Sequence, residues 1–367
     1  MRVIKSVKQN YEPSQELLVL LEDFRKMVND CVRLGLDKNI TSLKALSCET
    51  YHALSKYNVP SYYRLTAISK ATGILRNYRK AIRKNSKTKK PYADKLMLTD
   101  CYGFRIKDDL LRLPLGNKRY VFIPLNAHTQ AVISGYTVRS VALTTRILSI
   151  AFSKETAEID LAGLIGIDRN LDNVTTTSSN GKVRQFDLSE ATHIKAKYKE
   201  IKSHFTRNDV RIRRRIFGKY GVKQRNKANQ HLHHVSKEIV EQAKSQKFGI
   251  VMEKLTGIRK LYRRGNFQGE GFRARMNLWS FYELQRQIEY KAKWEGVPVI
   301  YVLPQKTSSI CAKCGSRIIE CIGRKVYCPV CETVADRDIN AAKNILTGGL
   351  RFRPIGQPIE AMVSVKR

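Results

Sequence analysis

Three acids in this chain stand where runs of apolar residues end. Asp168 follows Leu164-Ile165-Gly166-Ile167, Glu253 closes Phe248-Gly249-Ile250-Val251-Met252, and Asp338 opens Asp338-Ile339-Asn340-Ala341-Ala342. The first two runs read as buried strands and the third as the start of a helix, whose positive end suits a carboxylate. In a mixed α/β sheet, sites assemble where strands end and helices begin. Three converging carboxylates suit Mg2+ or Mn2+, which prefer hard oxygen ligands. Two such ions, about 3.5–4 Å apart, activate water and stabilise the leaving oxygen in phosphodiester cleavage. Any one of these acids alone would be ordinary punctuation at a strand end, so the inference rests on all three. Asp336 reads as a helix cap or a neighbouring acid and Asp172 as a turn residue.

A second chemistry lies just before Asp338. Cys311-x2-Cys314 and Cys328-x2-Cys331 are separated by 13 residues. Four thiolates bind zinc tetrahedrally and leave no position open, so one Zn2+ here is structural and hydrolysis must happen elsewhere. Four free cysteines is the bland alternative, and two intact pairs weigh against it. Cys321 between the pairs reads as a bystander, and Cys31, Cys48 and Cys101 are scattered. The opening MRVIKSVKQNYEPS does not read as a signal peptide, so a reduced compartment and a metal site are expected rather than disulfides. Arg317, Arg324 and Lys325 in the enclosed loop could touch substrate phosphates or simply be solvated tips.

The chain has 367 residues, 42% of them hydrophobic, enough for two or three domains. Its 68 Lys and Arg against 32 Asp and Glu give a net charge of +36. Such a surplus repels itself unless a polyanion neutralises it, which makes nucleic acid the leading partner. A membrane surface competes, but no run reaches the ~18 apolar residues of a spanning helix. Residues 195–227 hold 13 Lys or Arg and two acids, Glu200 and Asp209, with Tyr198, Phe205 and Tyr220 interleaved. A solvated helix mixes signs more evenly, so a phosphate-binding surface including Arg211, Arg213, Arg214 and Arg215 is expected. His231, His233 and His234 read as helix surface with no acid partner. A basic structural protein of ribosomal type remains a competing reading.

The elements that must position these groups follow from periodicity. Residues 1–9 alternate as a strand. Gln15 to about Leu36, Tyr51–Lys56 and Ser61–Lys84 read as helices, and RKNSKTKKP (83–91) as an exposed basic loop. From Ala93 to Ile159 short alternating segments, QAVISGYTVRSVAL among them, suggest a small barrel or sandwich. LIGIDR, NVTTTSS and KVRQFDL read as three strands, with Asn180-Gly181 turning the second hairpin. A basic helical region over 189–246, the strand at 248–255, a helix over 275–296, a strand at VPVIYVLP and a helix from 338 complete a mixed α/β sheet.

These motifs resemble a known family. GIDRN (166–170), IVMEKL (250–255) and DRDINAAKNI (336–345), with TSSICAKCG and CPVC between the last two, look like TnpB. That family comprises transposon-encoded, RNA-guided DNA nucleases related to the type V CRISPR effectors. The likeness covers about 164–346 in order and extends loosely to FRKMVNDC, similar to the family's first recognition helix. It implies a RuvC (RNase H-like) nuclease fold in which Asp168, Glu253 and Asp338 are the catalytic acids and bind Mg2+ or Mn2+. Two positions depart from the pattern, each usually Gly: Asn170, which tolerates the left-handed conformation better than most residues, and Glu332 after the last cysteine.

The resemblance also implies a domain plan. Residues 1–9 and 92–160 form a β-barrel, wedge-like domain and 10–91 an inserted helical recognition domain. Residues 161–304 and 332–347 form the nuclease domain, 305–331 a zinc-ribbon insert that binds target nucleic acid, and 348–367 a flexible tail. Tyr62, Tyr63, Lys70 and Asn77 fall where the family reads a short motif beside its target. The expected activity is an RNA-guided, Mg-dependent DNA endonuclease that cuts double-stranded target DNA next to that motif. Its guide RNA would derive from the transposon end, and the protein would act as a monomer with that RNA, in the cytoplasm at the nucleoid of a prokaryote, with no membrane partner. A nuclease-inactive guided DNA-binding repressor of the same family and a basic RNA-binding structural protein stay as alternatives.

Overall fold

A computed structural model describes residues 1–205, 210–263, 265 and 267–352 of the chain. Contacts divide it into one unit of Arg2–Glu155 and another from Thr156 onward that also takes in Met1. The first unit contains β1 (Arg2–Asn10), α1 (Gln15–Asp37), α2 (Leu43–Thr50), α3 (Ser61–Lys84), β2 (Met97–Asp100), β3 (Arg105–Lys107), β4 (Leu110–Gly116), β5 (Arg119–Pro124), α4 (Ala127–Ile133), β6 (Thr137–Thr144) and β7 (Ile147–Glu155). Leu17, Leu20, Leu21, Phe24, Met27, Val28 and Cys31 recur at helical spacing, and all are buried. In the region where a small barrel or sandwich was expected, the strands form two sheets, β1-β7-β6-β2 and the meander β3-β4-β5. Buried Gln9 ties them together, donating to Pro124 O at 2.8 Å and accepting from the Asn126 N–H at 3.2 Å.

Two helices here were missed, and each is announced by a side-chain cap. Ser42 accepts from the Ala45 N–H and starts α2 ahead of the expected Tyr51–Lys56 helix, which is only a 3-10 turn over Ala53–Lys56. Asn126 accepts from the Thr129 N–H and turns the first part of the expected QAVISGYTVRSVAL strand into α4.

The second unit is built on β8 (Gly163–Arg169), β9 (Asn173–Ser178), β10 (Val183–Asp187), α5 (Ser189–Ser203), α6 (Val210–Ser245), β11 (Phe248–Glu253), α7 (Glu270–Leu278), α8 (Phe281–Glu295) and β12 (Val299–Val302). Three short strands follow, β13 (Ile319–Glu320), β14 (Lys325–Tyr327) and β15 (Val334–Asp336), before α9 (Arg337–Phe352). The main sheet runs β10-β9-β8-β11-β12, antiparallel through β8 and parallel beyond it. The Asn180-Gly181 turn is present, with Gly181 at φ 82°. One face of the sheet packs Ile165, Ile167, Ile250 and Met252 against α6 and α8, through Leu232, Ile239, Leu284 and Ile288. The other face packs Leu164, Val251 and Val302 against Ile345 and Leu346 of α9. Helix α9 lies so close to β8 that a Cβ on Gly166 would stand 2.4 Å from Ala342 O.

The expected helix over 275–296 is broken, because Trp279 is extended and ends α7. The Lys195 ammonium draws the Leu278 carbonyl out of the helical ladder (2.7 Å) and also bonds Ser280 Oγ, while burial pushes its pKa down to about 8. The expected tail from 348 is helical as far as Phe352. Residues 353–367 and Asp209 lie outside the described residues. The ribbon's third strand, β15, lies beyond Cys331, in the stretch assigned from sequence to the nuclease domain.

Candidate active site

Asp168 lies in the last turn of pleat of β8 and is 9% exposed. Its Oδ2 accepts a hydrogen bond from Asn170 Nδ2 at 2.9 Å. Burial, reinforced by the charges of Glu253 and Asp338, pushes the Asp168 carboxyl up to about 7 despite that hydrogen bond. Glu253 ends the neighbouring strand β11, and its Oε1 accepts from Thr307 Oγ1 at 2.5 Å. Asp338 sits in the first turn of α9, 3% exposed. Its Oδ2 accepts from Asn173 Nδ2 at 3.2 Å, and its Oδ1 pairs with Arg324 Nη2 at 2.5 Å. Asp336 is the cap: its Oδ1 accepts from the N–H groups of Asp338 and Ile339.

The supports beneath these acids are polar and local. Arg169, 3% exposed, donates to Glu253 O at 2.5 Å and to Gln285 Oε1 at 2.8 Å, so it ties β8, β11 and α8 at the level of the acids. Burial lowers its pKa, and its Nε has no hydrogen-bond partner. Thr175, the cross-strand partner of Asp168, carries a buried hydroxyl with no partner. Sequence reasoning missed Asn173, Thr307 and Arg169, because single polar residues carry no spacing signal. It took Asn170 as a residue that tolerates the left-handed conformation at a position that is usually Gly in the family it resembles. No such φ occurs there, and the residue works through its carboxamide instead. At Glu332 a left-handed φ of 53° does occur.

The donor set consists of carboxylate oxygens, the hard ligands that divalent cations prefer. A single Mg2+ cage with bonds of about 2.1 Å would bring all its ligand oxygens within ~4.2 Å of one another. Among the described residues, only the four cysteines place all their ligand atoms within 4.8 Å. The three carboxylates are therefore not gathered into one preformed cage, and Asp168 is the acid whose charge environment includes both of the others. The orphaned Thr175 hydroxyl beside Asp168 agrees with a polar site that takes further ligands.

The cysteines suit zinc. The Cys311 and Cys331 sulfurs are 3.6 Å apart, and those of Cys314 and Cys328 are 3.4 Å apart. Zn–S bonds of about 2.3 Å at tetrahedral angles place sulfurs ~3.8 Å apart. Hydrogen bonds from Ser316 lower the Cys314 thiol to about 6 while the neighbouring Cys328 thiol is raised, so the pair readily gives one thiolate before a metal draws off the second proton. Cys321 is exposed and outside the cluster. Helix α9 clamps the entry to the ribbon: Asn340 accepts from the Ala312 N–H and donates to Ile310 O, and Asn344 donates to Thr307 O and Ile310 O.

The other expected contacts divide. Tyr63 is fully buried and donates to Pro114 O at 3.0 Å, whereas the half-buried Lys70 donates its ammonium to Met97 O at 2.7 Å. Asn77 is exposed and Tyr62 half-buried. Arg211, Arg213, Arg214 and Arg215 are exposed on α6, with Arg213 over the Phe217 ring. His231 does have an acid partner, Glu190, at 3.1 Å, contrary to expectation, and joins no metal cluster among the described residues.

Comparison with known proteins adds to this geometry. The model of the Cas12f1-like TNB domain matches residues 281–345. A TnpB-like protein of Methanocaldococcus jannaschii, MJ0751, is 31% identical over 207 residues, covering 53% of this chain and 72% of that protein. The CRISPR-associated endodeoxyribonuclease Cas12f1 of Sulfoacidibacillus thermotolerans is 38% identical over 118 residues, 31% of this chain and 25% of that one. In fold, the chain is similar to Cas12f1 in its complex with sgRNA and target DNA, with a TM-score of 0.61 at 14% identity over 90% of this chain and 83% of that one. No described helix is long and apolar enough to cross a membrane.

Proposed function

The chain belongs to the TnpB family, and on that premise we propose that it is an RNA-guided DNA endonuclease whose hydrolytic site is Asp168, Glu253 and Asp338. The observation that carries this reading is the electrostatic convergence of the three acids on Asp168, at strand ends and a helix start of one sheet. The carboxylates would hold divalent cations, which supply an activated water and charge stabilisation at the leaving oxygen. Thr307 orients Glu253, and Arg169 fixes the end of its strand. Arg324 occupies Asp338 Oδ1 from a largely exposed position, so it can turn toward a phosphate when that oxygen is needed elsewhere. The α6 arginines supply a backbone-reading surface, and sequence choice falls to base pairing with a guide RNA. The zinc ribbon shapes the substrate side and braces the start of α9. In the first unit, α1 to α3 and the two sheets are assigned to guide binding and to the flanking DNA motif. The guide is assigned to the transposon end, and the active form to one protein with one RNA.

The test is supercoiled target DNA added to the chain purified with its co-expressed RNA, in Mg2+ and in Mn2+. The parent cuts, and Asp168→Ala loses more than the ~100-fold typical of losing an outer-shell partner. Undiminished cutting by Asp168→Ala would sink the site. Guided binding without cutting in either metal supports a repressor instead, and an RNA-free, DNA-inert preparation supports a structural protein.

A further inference from the structure

We propose that Asn170 and Asn173 form a carboxamide bridge that sets the spacing of Asp168 and Asp338 and so prepares that pair for divalent cations. The inference rests on the carboxylate site proposed above. Asn170 Nδ2 donates to Asp168 Oδ2 at 2.9 Å and to Asn173 Oδ1 at 3.1 Å. Asn173 Nδ2 then donates to Asp338 Oδ2 at 3.2 Å. An ionised carboxylate only accepts, so the two acids dictate which way both amides face. Donation therefore runs outward from Asn170, back to Asp168 on β8 and forward through Asn173 to Asp338 on α9.

The backbone holds both asparagines in place. The Asn170 N–H donates to Asn173 O at 2.9 Å, and Asn173 is registered against Asp187 on β10. The bridge takes Oδ2 of each acid. Its donors are neutral, which separates it from Arg324 on the other oxygen of Asp338. A guanidinium cancels the charge that attracts a cation, whereas a carboxamide orients the oxygen and leaves the charge intact. Asn170 and Asn173 are thus positioning residues that act through the two acids.

The test is Mn2+ binding, read by electron paramagnetic resonance of the free ion, on the zinc-loaded protein–RNA complex without DNA. The Asp168→Ala complex gives the background due to RNA. Asn170→Ala and Asn173→Ala are each expected to weaken the Asp168-dependent binding about tenfold. The double variant loses no more than either single one, because a chain broken once is broken. Asn170→Gly repeats the test where Ala disturbs folding, with the thermal midpoint as the fold control. Unchanged Mn2+ affinity, or losses that simply add, overturns the bridge while the carboxylate site stands. If Asp168→Ala itself binds Mn2+ like the parent, the site assignment fails instead.

Discussion

The cysteine cluster and the carboxylate cluster are both tied to α9, the first through Asn340 and the second through Asp338. The sulfurs lie within 4.8 Å of one another, on a ribbon whose small core is Ile318 and Val326. Each carboxylate accepts from a side-chain donor instead: Asn170 for Asp168, Thr307 for Glu253, and Asn173 with Arg324 for Asp338. A closed thiolate set excludes substrate and serves the fold. A buried set of acids on a sheet strains its own ionisation, most at Asp168, which costs stability and suits chemistry.

That contrast breaks most visibly at the ribbon. Cys328→Ser should remove the zinc, one per chain to none by metal analysis. Structural zinc binding is worth ~10–16 kcal/mol at neutral pH, so the ribbon should unfold. Circular dichroism should still show the sheet and helices around Ile250 and Leu284, which share no core residue with the ribbon. DNA cutting should fall about 10- to 100-fold as Asp338 loses its brace. Full cutting without zinc would show that the two clusters are independent.

At the carboxylate site the sign runs the other way, and removing charge should stabilise. Asp168 holds its proton up to about pH 7 in the folded chain but only to about 4 when unfolded. The folded state therefore binds more protons between those values, and stability is lost as pH rises across that window. In metal-free protein, Asp168→Asn should add on the order of 4 kcal/mol at pH 8 and little at pH 4, read by urea unfolding at each pH. An equal effect at both pH values would mean that the carboxylate is not strained.

The smallest effect sharpens the ribbon side alone. Glu332 holds a left-handed φ of 53° just after the last cysteine. Glu332→Gly relieves a conformation that costs L-residues about 1–2 kcal/mol, offset by the entropy of glycine, for a net gain below ~1 kcal/mol. Zinc should be retained slightly longer against a chelator, with DNA cutting unchanged. Faster zinc loss would show that the Glu332 side chain matters more than its backbone.

The acids and thiolates were legible because each sits in a repeated pattern, an apolar run ended by a charge or a pair of cysteines two residues apart. Asn173 and Thr307 were not, because a hydrogen bond across 165 or 54 residues leaves no periodic trace. In the helices, apolar spacing revealed α1 and α3, whereas α2 and α4 are short and depend on Ser42 and Asn126 as caps. Tyr63 misled for another reason: its phenol looks accessible in a basic helix, yet it fills the core and spends its hydroxyl on Pro114 O.

Gly166 has a consequence for how the molecule tolerates change. The distance from β8 to α9 is set by a missing methyl group, and Asp338 rides on that helix one turn before Ala342. Any larger residue at 166 pushes the helix outward by roughly 1 Å, and a displacement of that size can cost a hundredfold in rate without touching the reacting atoms. Selection on the chemistry would therefore also act on an empty position in the sheet, where no functional group exists to betray it.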